Sequence, residues 1–322
     1  MSIRSPRRVL PPIAAIILAV LGCGDIAPPT APGTVPGEPQ LAKTPARPTG
    51  TGIGVIGSEA GRTRQRVEYH GGPLMLAPKN LYFIWYGSWT GSAAPAILLD
   101  FALNLGGSAY LDVVTRYAGA FGTAPVNSVS YAGSINDSYS RGTTLTRPDV
   151  GFIVATAVAD QMLPADPDGI YVVFTSADVN ETSGFGTEYC GFHNTSSSGG
   201  VTLKFVFVGH PDRAPAKCKP QTVGPNGDAA ADAMANVLVN GVFNTIVDPE
   251  FTGWYDKFLL EPADKCAWNF GTTYTTTNGA RANVALGGRD WLLQQLWVPA
   301  IRGYCTLDAR AAPSALDLDD GE

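Results

Sequence analysis

The sequence is poor in charge and in histidine, and both deficits exclude classes of function. Only 16% of its 322 residues are Asp, Glu, Lys or Arg, and only 3 are His. A site that needs many imidazoles is therefore excluded. The 28 acidic residues outnumber the 22 basic ones, for a net charge of −6. Because a nucleic-acid-binding protein needs a basic face for phosphate, this balance argues against nucleic acid as a partner.

Sequence motifs for common catalytic chemistry are also missing. The chain has no GxxxxGK[ST] phosphate loop, no GxSxG nucleophile elbow and no HExxH zinc motif. No two cysteines have CxxC spacing, which argues against a cysteine zinc site and against a redox dithiol.

The N-terminus has the pattern of an export signal. Three arginines precede the apolar run 9–21, which is too short to span a membrane as a helix. The run ends in Val-Leu-Gly followed by Cys23, as in a bacterial lipobox, where the cysteine is acylated after cleavage. We therefore predict a lipoprotein-type signal peptide over residues 1–22 and a lipid on Cys23. Ordinary signal cleavage nearby, with Cys23 left as a thiol, is the alternative.

Composition divides the rest of the chain into three parts. Residues 23–65 are rich in Pro, Thr and Gly and predict a tether without a core. Residues 66–306 predict a single domain. Residues 307–322 are acidic and rich in Ala and predict a disordered tail. The lipid would attach the protein to a membrane of the cell envelope, at the outer surface or in the periplasm, whereas plain secretion would make it extracellular.

Strand and helix patterns alternate within the domain. Continuous apolar runs predict buried strands over 80–86, 169–175 and 203–208, and alternation predicts another strand over 126–131. Helical patterns cover 94–105, 110–120, 146–163 and 228–247, while 291–297 is a short helix or strand. This order predicts an α/β fold with a mixed β-sheet and packed helices.

Four cysteines follow Cys23, and an even number in an exported chain favours disulfides. Four cysteines allow three pairings, and the sequence does not select one of them. We favour pairing in chain order, Cys190 with Cys218 and Cys266 with Cys305, which would staple the domain.

The helix predicted over 228–247 carries a polar stripe. Asp232, Asn236, Asn240 and Asn244 recur at intervals of four and therefore share one face. Asn disfavours helix interiors, because its side chain competes for backbone hydrogen bonds. The stripe therefore either faces solvent or lines a polar pocket. The second alternative makes these residues candidate binding residues, together with His193.

An ordered string of motifs resembles the EXORDIUM or phosphate-induced protein family. The motifs lie at 69–73, 80–89, 138–147, 169–179, 190–193, 225–228, 254–255 and 263–266. They cover about residues 68–306, so the resemblance implies an EXORDIUM-like domain over 66–306. These are secreted proteins best known from plant cell walls. The resemblance therefore implies an extracellular setting, and it assigns no biochemical activity.

The family's long helix typically carries a His-Glu-x-x-Glu stretch that looks like a metallopeptidase zinc helix. The matching positions here are Asn240, Gly241 and Asn244, so the histidine and both glutamates are replaced. Asn lacks the basicity to activate water, and Gly has no side chain. The resemblance therefore implies a zincin-like fold whose metallopeptidase-like site has degenerated in this chain.

Other residues leave a different metal site open. His193 and His210, with Asp228, Glu261 or Asp264, are the residue types that hold zinc, and Asp and Asn oxygens suit calcium. Nothing in the sequence brings these residues together, so we predict no cofactor.

Aromatic residues offer a route to sugar binding. Trp89 follows a Gly-Ser pair after a predicted strand and is the best candidate for an exposed ring that stacks on a sugar. The sequence thus predicts a lipid-anchored surface protein with a binding or scaffold role and a cell-envelope glycan as candidate partner. An extracellular metal-dependent hydrolase with a rearranged ligand set is the alternative.

Overall fold

A computed structural model describes residues 66–300 and 302–310, which belong to one compact unit. The predictions for the signal peptide over 1–22, for Cys23 and for the tether over 23–65 lie outside these residues. Most of the predicted tail over 307–322 also lies outside them.

The described residues form fifteen strands and five α-helices. The strands are β1 (Val67–Tyr69), β2 (Lys79–Tyr86), β3 (Val129–Asp137), β4 (Thr144–Leu145), β5 (Gly169–Thr175), β6 (Asn180–Glu181), β7 (Gly191–Ser198), β8 (Val201–Val208), β9 (Trp254–Asp256), β10 (Tyr274–Thr275), β11 (Arg281–Ala282), β12 (Val284–Leu286), β13 (Arg289–Trp291), β14 (Leu296–Val298) and β15 (Tyr304–Thr306). The α-helices are α1 (Ala94–Leu105), α2 (Arg147–Ala159), α3 (Pro215–Cys218), α4 (Ala229–Val247) and α5 (Pro262–Lys265). Short 3₁₀ turns lie at Leu111–Arg116, Ala120–Gly122 and Pro211–Arg213.

A five-stranded mixed sheet with the order β3-β2-β5-β8-β7 forms the centre of the domain. Strands β3, β2, β5 and β8 run parallel, and β7 pairs antiparallel with β8 at one edge. Helices cover both faces, which explains why β2 and β5 are continuous apolar runs rather than alternating ones. The mixed α/β fold predicted from the sequence is confirmed.

Helices α1 and α4 pack on one face of this sheet, and α2 packs on the other. Ser196 of β7 donates to the backbone oxygen of Gly151 in α2 at 2.9 Å. On the opposite face, a Cβ on Gly241 of α4 would overlap the side chain of Val206 in β8. Glycine therefore permits the close approach of helix and sheet. Helix α4 is long and apolar enough to cross a membrane, but its apolar stretch is wholly buried in the domain, as in a core helix.

Several elements differ from the predicted ones in their bounds or in their type. The strand predicted over 126–131 is β3, which begins at Val129 and continues to Asp137. The helix predicted over 110–120 is wrong, because this part forms only a 3₁₀ turn. The helix predicted over 146–163 ends at Ala159, and its start is capped as expected. The Asp149 carboxylate accepts from the backbone N–H of Thr146 at 2.8 Å and from its hydroxyl at 2.6 Å. The segment 291–297 contains no helix: its first residue ends β13, residues 292–295 form a connection, and residues 296 and 297 begin β14.

Two disulfides join distant parts of the domain. Cys190, just before β7, pairs with Cys218 at the end of α3, and Cys266, just after α5, pairs with Cys305 in β15. Both bonds, and the chain-order pairing that we favoured, are confirmed.

Candidate functional site

The polar stripe of α4 is buried and does not face solvent. Each of its members is at most 5% exposed: Asp232, Asn236, Asn240 and Asn244. Asn236 accepts from the backbone N–H of Gln294 at 2.6 Å. Asn244 accepts from the backbone N–H of Ala263 at 2.9 Å. These side chains therefore serve as acceptors for two later chain segments that cross the helix, which gives asparagine a structural purpose at these positions.

Asp232 lies at the N-terminal end of the same stripe. Its carboxylate accepts from the backbone N–H of Asn226 at 3.0 Å and from the Asn226 amide at 2.5 Å. Burial raises the pKa of Asp232 to about 6, because burial disfavours the charged form, and the two hydrogen bonds oppose the shift. Asn226 also donates to the backbone oxygen of Asp290 at 2.9 Å, so Asp232 holds this part of the chain on α4. A ligand-binding role for the stripe stays a prediction.

The candidate metal ligands fall into two groups, and the first consists of His193, Glu261 and Asp264. His193 Nε2 lies 2.9 and 3.0 Å from the two carboxylate oxygens of Glu261, and both residues are buried. Asp264 accepts from the amide of Asn240 at 2.9 Å. Asp264 is also joined to Glu261, because its backbone N–H donates to the backbone oxygen of Glu261 at 3.1 Å.

The other two candidates occupy the carboxyl end of β8 and the start of α4. His210 follows β8, and Asp228 accepts from the backbone N–H groups of Ala230 and Ala231 as the N-cap of α4. Within residues 66–300 and 302–310, no group of three or more His, Cys, Asp or Glu is arranged to hold a metal ion. The residues present therefore do not fit a zinc site of the kind that the His-Glu-x-x-Glu stretch suggests in the family.

Two of the three positions that match the family's His-Glu-x-x-Glu stretch face one segment of the chain, and the third faces the sheet. Asn240 and Asn244 face the segment 263–264, whereas Gly241 faces Val206 on the sheet. With this packing, a glutamate side chain at position 241 would collide with β8. Close packing of α4 on β8 thus explains the glycine at position 241, and the sequence does not reveal this packing.

A different polar cluster lies where the parallel strands end. After β2, the chain passes through α1 to β3 on one side, and after β3 it passes through α2 to β5 on the other side. Since these connections diverge to opposite faces, the carboxyl ends of β2 and β5 form a topological switch point. In open α/β sheets, ligands bind at such crevices.

Hydrogen bonds fasten the loops at this switch point together. Gly87 has a φ of +97°, and a Cβ there would overlap the Ser176 hydroxyl, so only glycine fits. The backbone N–H of Ser88 donates to the Ser176 hydroxyl at 3.1 Å, and that hydroxyl donates to Asp178 at 2.6 Å. The Tyr139 hydroxyl donates to the other Asp178 oxygen at 2.7 Å. Both side-chain bonds lower the pKa of Asp178, because they stabilise its carboxylate.

Trp89 and His210 complete this cluster, which we call the carboxyl-edge site (Trp89, Tyr139, Ser176, Asp178 and His210). The Trp89 ring is half-buried, packs edge-on against Trp85 with centroids 5.3 Å apart, and lies 6.0 Å from the His210 ring. Among the described residues, its indole N–H has no hydrogen-bond partner.

The His210 imidazole is a neutral donor at this site. It is 8% exposed, and burial lowers its pKa, so it is uncharged at neutral pH. Its Nδ1 accepts from the backbone N–H of Asp212 at 3.4 Å, which assigns the hydrogen to Nε2. The Ser176 hydroxyl bonds to Asp178 and not to His210, so no serine–histidine nucleophile pair forms.

Sequence reasoning found only part of this site. It singled out Trp89 as a sugar-binding candidate and His210 as a metal candidate. The sequence analysis included Tyr139, Ser176 and Asp178 only as members of the family motifs and assigned them no role. Ser176 and Asp178 lie directly after β5, so their position at the end of a predicted strand was the available signal.

Comparisons with known proteins agree with the motif string. A family model described as "Phosphate-induced protein 1 conserved region" matches residues 67–307. "Protein EXORDIUM-like 3" of Arabidopsis thaliana is 29% identical over 293 residues, covering 78% of this chain and 84% of the relative. "Protein PHOSPHATE-INDUCED 1" of Nicotiana tabacum is 26% identical over 286 residues, covering 76% and 88%. No solved structure matches significantly.

Proposed function

Because the chain belongs to the family defined by the phosphate-induced protein 1 conserved region, we propose that it is an exported EXORDIUM-like surface protein. In this proposal a lipid on Cys23 anchors it to the cell envelope, and its carboxyl-edge site binds an envelope glycan. The two disulfides support export, because disulfides persist in oxidising compartments.

The half-buried Trp89 at the switch point is the observation that carries glycan binding. Sugars have apolar ring faces and hydroxyl edges, and the half-buried Trp89 offers an aromatic face. The His210 Nε2–H is a donor to sugar hydroxyls, and the ionised Asp178 is an acceptor from them. Because the loops that carry these groups are bonded to each other, little ordering is needed on binding.

The proposed role is binding without metal-dependent hydrolysis. A zincin-like arrangement is supported by the antiparallel strand β7 at the sheet edge and by the long helix α4 that follows β8. In this chain, however, Asn240 and Asn244 are engaged with the segment 263–264, and Gly241 faces Val206. We therefore regard α4 as a site helix that has lost its ligands. One zinc per purified chain would contradict this part of the proposal.

Substituting Trp89 tests the glycan site. We expect the wild-type chain to bind at least one cell-envelope polysaccharide on a glycan array. Trp89→Ala should weaken that binding by about tenfold or more, since burying a large apolar side chain is worth about 1.5–3 kcal/mol and about 1.4 kcal/mol corresponds to a factor of ten. Phe258→Ala removes another exposed ring and serves as the matched control. If no polysaccharide is retained, or if both variants bind as wild type does, the proposed site is wrong.

Substituting Cys23 tests the anchor. Cys23→Ser removes the sulfur that would carry the lipid, so we expect the protein to move from the membrane fraction to the soluble fraction. Thr30→Ser, in the predicted tether, should leave the protein in the membrane fraction. Mass spectrometry of the N-terminal peptide should show acylated Cys23 in the wild type. An unmodified thiol there would favour plain secretion instead.

A further inference from the structure

Strand β3 is an edge of the main sheet, and no other described strand covers it. Its nine residues, Val129–Asp137, pair with β2 alone among the described strands. Every second residue of such an edge turns its backbone N–H and C=O away from the sheet. The exposed side chains are small and uncharged: Ser130, Ala132, Ser134 and Asn136. β3 therefore presents a long row of backbone hydrogen-bonding groups to its surroundings.

Natural proteins usually protect such an edge with lysines, prolines, bulges or a covering element. β3 contains no Lys, Arg or Pro, and its one charged residue, Asp137, is its last. It has one irregularity, where the register with β2 shifts before Gly133. From Gly133 to Asp137, the five residues pair regularly with β2. An edge that is this regular and this free of charge is suited to pairing with another strand.

We propose that β3 pairs antiparallel with β3 of a second copy of this chain, about a twofold axis through Ile135. In this register Ile135 lies opposite its own copy, Ser134 opposite Asn136, and Gly133 opposite Asp137. No two like charges face each other, which matters for a chain with a net charge of −6. Such self-complementarity is what an isologous dimer interface requires.

The packing around Ile135 supports this choice of partner. Ile135 pairs with Ile84 of β2, on the sheet face that carries α2. α2 packs on β5, β7 and β8, and Ile135 remains half-buried at the margin of the core. Two copies that pair through β3 bring the two Ile135 side chains together on this face, so each covers apolar surface of the other. The dimer then has one continuous sheet.

Disulfide trapping in the full-length chain tests this register. Opposed residues in antiparallel strands have Cα atoms about 4.5–5.5 Å apart, within the range of a disulfide. Ile135→Cys should therefore form a cross-linked dimer under mild oxidant on a non-reducing gel. Ser130→Cys is equally placed on the edge, but its two copies would lie about 34 Å apart along the strands, so it should not cross-link. Equal cross-linking of both variants, or cross-linking of neither, would overturn the register.

The mass of the particle provides a second measurement that needs no cross-link. We expect light scattering to give twice the chain mass for the wild type. Ile135→Arg should give a monomer, because it places two like charges opposite each other. Ser130→Arg adds the same charge outside the paired segment and should stay a dimer. A wild-type monomer would overturn the proposal. That outcome would also be seen if β3 paired with a strand of another protein instead of a second copy.

Discussion

Replacing Asp256 with alanine should lower the free energy of unfolding by about 3–5 kcal/mol, the usual cost of removing one partner from a buried ion pair. Asp256 and Lys265 are fully buried, and the ammonium lies 3.0 Å from one carboxylate oxygen. The other carboxylate oxygen accepts from the backbone N–H groups of Phe258 at 2.8 Å and Leu260 at 2.9 Å. Alanine removes all three interactions and leaves the Lys265 charge in the interior without this carboxylate.

Urea unfolding of the wild type and three variants measures this effect. Asp256→Asn keeps an oxygen that accepts from the two amides but removes the charge, so we expect an intermediate loss. Asp160→Ala removes an exposed carboxylate at the end of α2 and should change stability by less than about 0.5 kcal/mol. A loss below about 1 kcal/mol for Asp256→Ala would show that the pair is not buried as described.

Replacing both Cys266 and Cys305 with serine should lower the free energy of unfolding by about 3–4 kcal/mol, according to the chain-entropy model of disulfides. The bond closes a sequence separation of 39 residues, so losing it frees a long loop in the unfolded chain. The bond also ties β15 to the residue that follows α5. The other bond closes a separation of 28 residues and should be worth slightly less.

Urea unfolding with and without reductant measures both disulfide contributions. Reduction should lower the free energy of unfolding of the wild type by about the sum of the two contributions. Each double serine variant should be less stable by the contribution of the disulfide that it lacks. Cys23→Ser removes a cysteine outside the described domain and should leave unfolding unchanged. A loss below about 1 kcal/mol for the Cys266 and Cys305 pair would contradict the expectation.

Elements with strong local patterns were predictable from the sequence. The runs at 80–86 and 169–175 carry apolar residues on both faces of the strand, because both faces of β2 and β5 are covered. The start of α2 was visible because its cap, Thr146, and the residue that bonds to it, Asp149, are three positions apart. The 3₁₀ turn at 111–116 was wrongly predicted as a helix over 110–120. No helix breaker in the sequence marks the residue at which the turn ends.

The candidate sites show the limit of local information. The stripe on α4 was visible as a spacing, but its burial depends on Ala263 and Gln294, which follow the helix by many residues. The carboxyl-edge site shows the same limit, because Trp89, Tyr139 and Asp178 follow three different strands.

The sequence by itself determined the family, the mixed α/β class, the even number of cysteines after Cys23 and the absence of the His-Glu-x-x-Glu stretch. These properties reside in residue identity and short-range periodicity, which a single chain displays directly. Only the tertiary structure decided which cysteines pair, that the asparagine stripe is buried, that Gly241 lies against the sheet, and that Trp89, Asp178 and His210 share one edge. Parallel strands joined by helical crossovers bring together residues far apart in the chain, and no local pattern records which residues will meet.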